Sequence, residues 1–503
     1  MIHHLLNALI WLPILGGVFV FWIGDREGPA VPKYLGLLVV LVTLALCIPL
    51  VRDFDPNMTG MQFIEHHEWL PAFGINYDLG IDGLSLLLIV LSIFTTLIVI
   101  LASWRSIEKK TAQYIAAFLI LQGVLVGVFS ALDAIVFYIF WEVSLIPMYL
   151  IIGIWGSANR IYAAIKFFLY TFLGSVLLLA SFLYMGYQAD SFSIEAFYAL
   201  KLSMTAQTLI FAAFFFGFAI KIPMWPVHTW LPDAHTEAPA GGSIVLAAVL
   251  LKLGAYGFLR FCLPIVPDAS GQWSGVMIAL SLIAVIYIGL VAIIQSDMKK
   301  LIAYSSISHM GFVTLGCFAV YAIARHTHNV MDAALIMEGA IIVMISHGFV
   351  SSALFAGVGF LYDRLHTRDI RNFGGIVNTM PIFASFFMLF AMANAGLPGT
   401  SGFVGEFMVI LGSVKAGFWV AFCAAATLIL GAAYTLWMYK RVIFGPVSNI
   451  KVATLNDIHG GEVIAFGLLG IVILAMGIYP EPVLNMIHTS VSHLLALSHV
   501  SKI

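Results

Sequence analysis

Long apolar runs alternate with short polar connections along the whole chain. About fourteen of these runs have the roughly 20 residues that an α-helix needs to cross the hydrocarbon core of a membrane. Their centres lie near Val18, Val42, Leu91, Gly123, Ser144, Ser175, Phe214, Leu250, Ile286, Thr314, Gly348, Phe390, Ile429 and Ile471. The pattern therefore predicts an all-α polytopic membrane protein with about fourteen transmembrane helices.

The composition agrees with this class and narrows the partners. The chain is 62% hydrophobic and 10% charged, whereas a soluble domain carries roughly 25% charged residues. Its net charge of −2 gives no reason to expect nucleic acid as a partner, and we expect membrane lipid around it. Four cysteines are far apart and lack the CxxC spacing of zinc or iron–sulfur sites. We therefore expect packing cysteines and no metal or cofactor in this chain.

Positive charge is distributed unequally between the two sides of the predicted bundle. Loops after odd-numbered runs hold fourteen Lys and Arg residues, and the opposite loops hold six. The positive-inside rule then places the odd loops in the cytoplasm and both termini on the outer, periplasmic side. The first run has no basic segment before it and no cleavage site, so we expect a retained helix in a bacterial inner membrane.

Three lysines remain outside these loops, because Lys166, Lys221 and Lys252 each lie within an apolar run. Glu142 and Glu406 are the acidic residues at similar depth. A charge in the middle of a bilayer costs roughly 2.5–3.5 kcal/mol, so each of these residues needs a partner, water or neutralisation. They are either ion pairs that fix helix packing or groups that handle protons, and Lys166 could simply pair with Glu142.

Two of the predicted helices are interrupted at membrane depth. Pro223 and Pro226 directly follow Lys221, and each proline removes a backbone donor from the helix. Gly396, Pro398, Gly399 and Gly402 interrupt the twelfth run just before Glu406. Either interruption could be a simple kink. Two interruptions five helices apart, each beside an ionisable residue, are nevertheless typical of transporters built from inverted repeats.

Histidine is the other side chain that exchanges protons near neutral pH. Most histidines of this chain lie in predicted loops or near the termini, but His228 follows the first interruption, and His309 and His347 lie within apolar runs. A buried histidine is as often a packing residue as a proton carrier. Together with Lys252 and Glu406, these three could complete a series of proton-exchanging groups along the middle of the membrane.

Four segments carry a resemblance to a known family: KIPMWPVHTWLPDAHTEAPAGGS, LLKLGAYGFLR, DMKKLIAYSSISHMGF and LPGTSGFVGEF. They resemble the antiporter-like subunits of respiratory complex I and the related multi-subunit cation/proton antiporters. Most antiporter-like subunits carry lysine on the second broken helix, whereas the fourth-chain branch carries glutamate, as this chain does at Glu406.

The resemblance implies a role for each buried group. Glu142 and Lys221 would form a pair whose separation changes the proton affinity of the lysine. Lys252 would be the central proton carrier, with His309 and His347 joining it to Glu406 on the exit side. Lys166 and His228 are weaker candidates for the same series.

The resemblance also implies two five-helix repeats, each with a broken helix. We expect residues 1–110 to form the first three helices, 111–265 and 270–445 to form the repeats, and 446–503 to form the last transmembrane helix and a tail. Apolar positions in that tail have helical spacing, so it is expected along the outer surface or against a neighbouring subunit.

No dinucleotide, phosphate-binding, cluster or haem motif is found in the sequence. FMN, iron–sulfur clusters and quinone are therefore expected in partner subunits, the other membrane-arm subunits of complex I and especially neighbouring antiporter-like ones. Two alternatives stay open: a subunit of a Na⁺(K⁺)/H⁺ antiporter or membrane-bound hydrogenase, and a haem- or quinone-binding redox protein.

Overall fold

The computed structural model describes residues 4–26, 28–447 and 449–503. Thirteen helices in this part of the chain are long and apolar enough to cross a membrane. A fourteenth crossing consists of two shorter helices separated by a turn. The prediction of an all-α polytopic membrane protein is confirmed.

The helices are numbered here by membrane crossing. They are α1 (Leu5–Ile23), α2 (Ala30–Arg52), α3 (Gly83–Ala102), α4 (Thr111–Ser130), α5 (Ala134–Trp155), α6 (Arg160–Ala189), α7a (Met204–Lys221), α7b (Trp230–Glu237), α8 (Ala240–Ile265), α9 (Pro267–Ile293), α10 (Met298–Thr327), α11 (Val330–Leu365), α12a (Pro381–Asn394), α12b (Ser401–Ala416), α13 (Phe418–Ile443), α14 (Gly461–Ile478) and a final α15 (Glu481–Ser498). Short helices at Ile194–Ala199 and Ile450–Ala453 lie in connections.

Helices α8, α10 and α11 form the centre of the bundle. Every residue in the most apolar window of α8 and of α11 is buried within the protein, whereas only 33% of that window is buried in α1 and in α13. A helix that is apolar all round and enclosed by other helices cannot direct a polar side chain at lipid. Ionisable residues of α8, α10 and α11 therefore have to find their partners within the protein.

A two-stranded antiparallel sheet, which the apolar pattern does not predict, connects α2 and α3. Strand β1 (Gln62–Leu70) pairs with β2 (Ile75–Ile81) around a short turn in which Gly74 has a φ of +65°. The Oε1 atom of Glu65 in β1 accepts a 2.8 Å hydrogen bond from the backbone N–H of Leu6. The sheet therefore holds the beginning of α1.

The C-terminal helix α15 packs on its own chain. Its apolar residues Ile487, Val491 and Leu495 are buried, and Ser490 Oγ accepts a 3.1 Å hydrogen bond from the backbone N–H of Gly83 at the start of α3. The apolar face of α15 packs against α3 and α11 of the same chain. The sequence had left an outer surface or a neighbouring subunit as the alternatives.

Four of the cations counted in loops or in the tail are in fact buried: Lys33, Arg260, Lys299 and Lys502. Arg260 lies in α8 and forms a 2.7 Å ion pair with Asp82. Lys299 lies in the first turn of α10, and its Nζ donates a 2.6 Å hydrogen bond to the carbonyl of Ala238. Both lie at the edges of apolar runs, where hydropathy alone does not distinguish a loop from the last turn of a helix.

Candidate functional site

The seventh crossing is interrupted directly after Lys221, as the prolines predict. Helix α7a ends at Lys221 and α7b begins at Trp230. The carbonyl of Ala219 accepts a 2.8 Å hydrogen bond from Met224 N–H, and the indole of Trp230 donates a 2.8 Å bond to the carbonyl of Ile220. Protein groups thus satisfy backbone that a continuous helix would have paired internally, which is the condition for unwound backbone at this depth.

Glu142 and Lys221 lie close enough to interact electrostatically, yet they do not form a direct ion pair. Lys221 is 2% exposed. Among the described residues its Nζ has no hydrogen-bond partner, and neither has the Oε1 atom of Glu142. The ammonium lies 5.1 Å from the centre of the Trp141 ring, a distance at which the ring face attracts a cation. The lysine is therefore held in place without being tied to its carboxylate.

Lys252 lies in the completely buried helix α8 and contacts α11. Its Nζ is 2.8 Å from Nδ1 of His347 and donates a 2.6 Å hydrogen bond to the carbonyl of Ala247. That carbonyl lies in a π-helical turn, Leu246–Leu250, directly before the lysine. Such turns leave a backbone carbonyl free and occur frequently at functional sites. Here the free carbonyl accepts from the lysine.

His309 and Glu406 form the other end of the same series. His309 Nε2 lies 3.1 Å from Oε1 of Glu406, and its Nδ1 lies 2.8 Å from the carbonyl of Ser305. A carbonyl can only accept, so Nδ1 carries a hydrogen and Nε2 is the nitrogen that faces the carboxyl group. One proton is then shared between His309 and Glu406, either on the ring or on the acid.

His347 lies between these two contacts. Its ring centre is 5.5 Å from that of His309, and one cavity is lined by both histidines together with Ser346, Asn394 and Glu406. We call Lys252, His347, His309 and Glu406 the central row. The row runs from α8 through α11 and α10 to α12b. The fold thus brings together four of the buried residues that the sequence predicts as proton carriers.

The interruption of the twelfth crossing gives Glu406 its position. Gly396 has a φ of +77°, and a Cβ there would lie 3.1 Å from Oε2 of Glu406. A Cβ at Gly402 would lie only 2.0 Å from the carbonyl of Ala393. Glycine at both positions lets α12a and α12b approach each other closely at the acid.

Lys166 does not pair with Glu142, contrary to the interpretation that the sequence allowed. Its Nζ bonds to Oδ2 of Asp233 in α7b at 2.7 Å, and both side chains are partly exposed. His228 lies in the interruption of the seventh crossing, and within the described chain its Nδ1 has no partner. Neither residue contacts the central row through a hydrogen bond found in the described chain.

His235 was missed by the sequence analysis and is completely buried. Its ring stacks on Phe355 with centres 4.3 Å apart, and neither ring nitrogen has a partner among the described residues. It lies within electrostatic range of both Lys252 and Lys299. The segment PDAHTEAP reads as a loop, and only the recognition that a broken helix resumes there could have placed His235 at depth.

The only group of three or more His, Cys, Asp or Glu side chains in the described ranges that could share one metal ion lies elsewhere, at His4, Glu65 and His67. All four cysteines are free, and three are buried. The central row itself consists of one lysine, two histidines and one glutamate, all of them titratable side chains.

The chain is similar to two families. Residues 131–431 match the family described as NADH:quinone oxidoreductase/Mrp antiporter, TM. Residues 54–129 match the family described as NADH-ubiquinone oxidoreductase chain 4, amino terminus.

Relatives match along almost the whole chain. It is 46% identical over 513 residues to NADH-quinone oxidoreductase subunit M of Rhodobacter capsulatus, covering 99% of this chain and 97% of that protein. It is 43% identical over 491 residues to NADH-ubiquinone oxidoreductase chain 4 of Arabidopsis thaliana, covering 97% of each. A chain of respiratory complex I from Thermus thermophilus with bound NADH matches with a TM-score of 0.88 at 29% identity, covering 99% of this chain and 100% of that one.

Proposed function

This chain belongs to the subunit M or chain 4 family of NADH:quinone oxidoreductases, and we propose that the central row carries protons through it. It is a proton-translocating subunit of the membrane arm of complex I and lies beside other membrane-arm subunits. The names of these relatives favour this function over the cation/proton antiporter and hydrogenase alternatives.

The contact between Lys252 and His347 is the observation that carries the proposal. A buried ammonium 2.8 Å from an imidazole nitrogen can pass its proton along that hydrogen bond, because heavy atoms at about 2.6–3.2 Å are within transfer distance. His309 then lies one ring contact further on. Both nitrogens of His309 already face other groups, Glu406 and the carbonyl of Ser305, so water or a movement of the ring has to carry the proton from His347 to His309. The proton shared by His309 and Glu406 then completes the route.

Glu142 and Lys221 control access to this route. Because they interact without a direct bond, a small movement changes the attraction that Lys221 feels, and with it the ease of losing its proton. No hydrogen bond within the described chain joins Lys221 to Lys252. We propose that water or a rearrangement closes this gap only when the Glu142 and Lys221 pair separates.

The redox chemistry belongs to partner subunits, where we place FMN, the iron–sulfur clusters and quinone. We further propose the bacterial inner membrane as the location, with both termini on the periplasmic side, as the excess of basic residues in the odd loops favours. The division into two five-helix repeats, 111–265 and 270–445, is part of the same proposal. The two broken crossings, α7 and α12, support it.

The experiment that tests the proposal replaces Glu142 by glutamine, which keeps the shape of the side chain and removes its charge. NADH-driven proton uptake is measured in inverted membrane vesicles, together with NADH–quinone turnover and assembly of the complex. The matched control is Glu195→Gln, since Glu195 is an exposed carboxylate in the connection after α6.

We expect proton uptake and turnover to fall together in an assembled Glu142→Gln complex and to stay normal in the control. Normal proton uptake and turnover in both strains would make Glu142 a packing residue. The Glu142 and Lys221 pair would then not control access to the route.

A further inference from the structure

Three metal-ligating side chains meet where α1 begins beside the sheet, away from the central row. The donor atoms of His4, Glu65 and His67 all lie within 4.8 Å of one another. His4 directly precedes α1, and the other two residues belong to β1, about sixty positions later in the chain. The fold thus unites donors that the sequence keeps far apart.

The strand geometry selects two of the donors. Successive side chains of a strand point to opposite faces, so Glu65 and His67 share a face while His66 between them points away. His66 indeed has a different partner, with its Nδ1 2.5 Å from Oδ1 of Asp78. Two histidines adjacent in sequence therefore have different surroundings.

The third donor is brought in by the hydrogen bonds of Glu65. Its Oε1 accepts from the backbone N–H of Leu6 at 2.8 Å and of Asn7 at 3.4 Å, and these bonds fix the first turn of α1 on the strand. His4 consequently lies beside the carboxylate, with Nδ1 3.9 Å from Oε2. The Glu65 side chain is 2% exposed and that of His4 is 72% exposed, so a fixed ligand meets one that can rotate freely.

The spacing is close to that of a tetrahedral metal site. Ligand atoms that are each 2.0–2.1 Å from a zinc ion stand about 3.4 Å apart. Because the His4 side chain is exposed, rotation of its ring can bring its nitrogen closer to the other two donors. The rings of His4 and His67 are already nearly parallel, with centres 6.0 Å apart and an angle of 20° between their planes.

Neighbouring side chains orient these ligands. The side-chain Nδ2 of Asn7 donates to Oε2 of Glu65, and its side-chain oxygen Oδ1 accepts a 3.0 Å hydrogen bond from the hydroxyl of Tyr77. Tyr77 also lies 6.3 Å from the ring of His67. Outer partners of this kind hold metal ligands in place and raise affinity.

We propose that His4, Glu65 and His67 bind a divalent transition-metal ion, with zinc as the ion to test. Two imidazoles and one carboxylate suit zinc, copper or nickel rather than magnesium or calcium, which prefer oxygen ligands only. Three protein ligands leave the fourth position to water. The ion links the beginning of α1 to the sheet between α2 and α3, independently of the proton route.

The test uses the assembled complex, washed with a chelator and equilibrated by dialysis against radioactive Zn²⁺. Wild type is compared with His4→Ala, His67→Ala and the control His66→Ala. The two ligand variants should each bind one zinc fewer per complex, or bind it roughly tenfold or more weakly, while the control matches wild type. Equal binding by wild type and both ligand variants overturns the proposal, as does a loss confined to His66→Ala.

X-ray absorption at the zinc edge supplies a second measurement that does not depend on a variant. The proposed site gives only nitrogen and oxygen neighbours at about 2.0–2.1 Å. A sulfur neighbour at about 2.3 Å would assign the metal to cysteine and overturn the proposal.

Discussion

The Nζ atom of Lys252 lies 2.8 Å from Nδ1 of His347, and it also donates a 2.6 Å hydrogen bond to the carbonyl of Ala247. The carbonyl can only accept, so the lysine always keeps one donor directed at it. The contact with His347 is different, because either nitrogen can hold the proton. On the proposed route, this asymmetry would direct proton exchange from Lys252 towards His347 and not along its own helix.

Replacement of Lys252 should therefore stop pumping. In Lys252→Ala the exchangeable proton is lost, and in Lys252→Arg a charge remains that does not dissociate at accessible pH. We expect NADH-driven proton uptake to fall at least roughly tenfold in both variants, since a positioned acid–base group contributes a factor of that order or more. The complex should assemble largely intact.

The control for this prediction is Lys201→Ala, because Lys201 is an exposed lysine in a connection. Its proton uptake should match wild type. Near-normal uptake in Lys252→Ala would remove Lys252 from the route, whatever the arginine variant does.

His235 offers a test that separates packing from proton exchange. Its ring stacks on Phe355, and its nitrogens have no partner among the described residues. His235→Phe should therefore preserve the stacking and leave the thermal stability of the complex almost unchanged. If His235 exchanges protons with Lys252 or Lys299, proton uptake in this variant should fall severalfold.

Phe355→Leu is the complementary variant, because it removes the stacked ring and keeps the histidine. It should lower thermal stability more than proton uptake. If the His235→Phe complex is stable and also pumps normally, His235 is a packing residue.

Sequence was sufficient to predict the helices and their interruptions, but not most of the pairs. The length of an apolar run predicts a crossing, and Pro223 or Gly396 predicts where it breaks, because both effects are local. The partner of Lys166 depends on how α6 is rotated against α7b, and no local pattern records that rotation. Asp233 was therefore missed as its partner.

The same limit explains the misplaced cations. Arg260 and Lys299 lie at the ends of apolar runs, where a long side chain can either reach water or turn inward to a partner. Here both side chains turn inward, Arg260 to Asp82 and Lys299 to the carbonyl of Ala238. Both partners are distant in sequence, so the burial of these cations could not be read from their own surroundings.

The ion pair between Lys166 and Asp233 should matter little for pumping. The two side chains are 19% and 33% exposed, and partly exposed pairs contribute up to about 1 kcal/mol. We expect Lys166→Ala and Asp233→Ala to retain most of the proton uptake. A double-mutant cycle on thermal stability should give a small coupling energy between the two residues. A large loss of proton uptake in Lys166→Ala alone would instead indicate that Lys166 takes part in proton transfer.

Two ion pairs of the same length should contribute differently to the stability of the complex, because one is buried and the other is exposed. Asp82 and Arg260 are 2.7 Å apart with side chains 14% and 10% exposed, whereas Arg52 and Asp53 are 2.7 Å apart with side chains 71% and 30% exposed. Asp82→Asn keeps the oxygen that caps α3 and removes the charge, so it leaves the guanidinium of Arg260 buried without its counter-ion. Breaking a buried pair in this way costs about 3–5 kcal/mol.

We therefore expect Asp82→Asn to lower the yield and thermal stability of the assembled complex clearly. Arg260→Met in the same chain should restore part of the loss, because the uncompensated charge is then removed as well. Asp53→Asn breaks the exposed pair of equal length and should have no measurable effect. If the two single variants behaved alike, the stability of α3 and α8 would depend on contacts other than this ion pair.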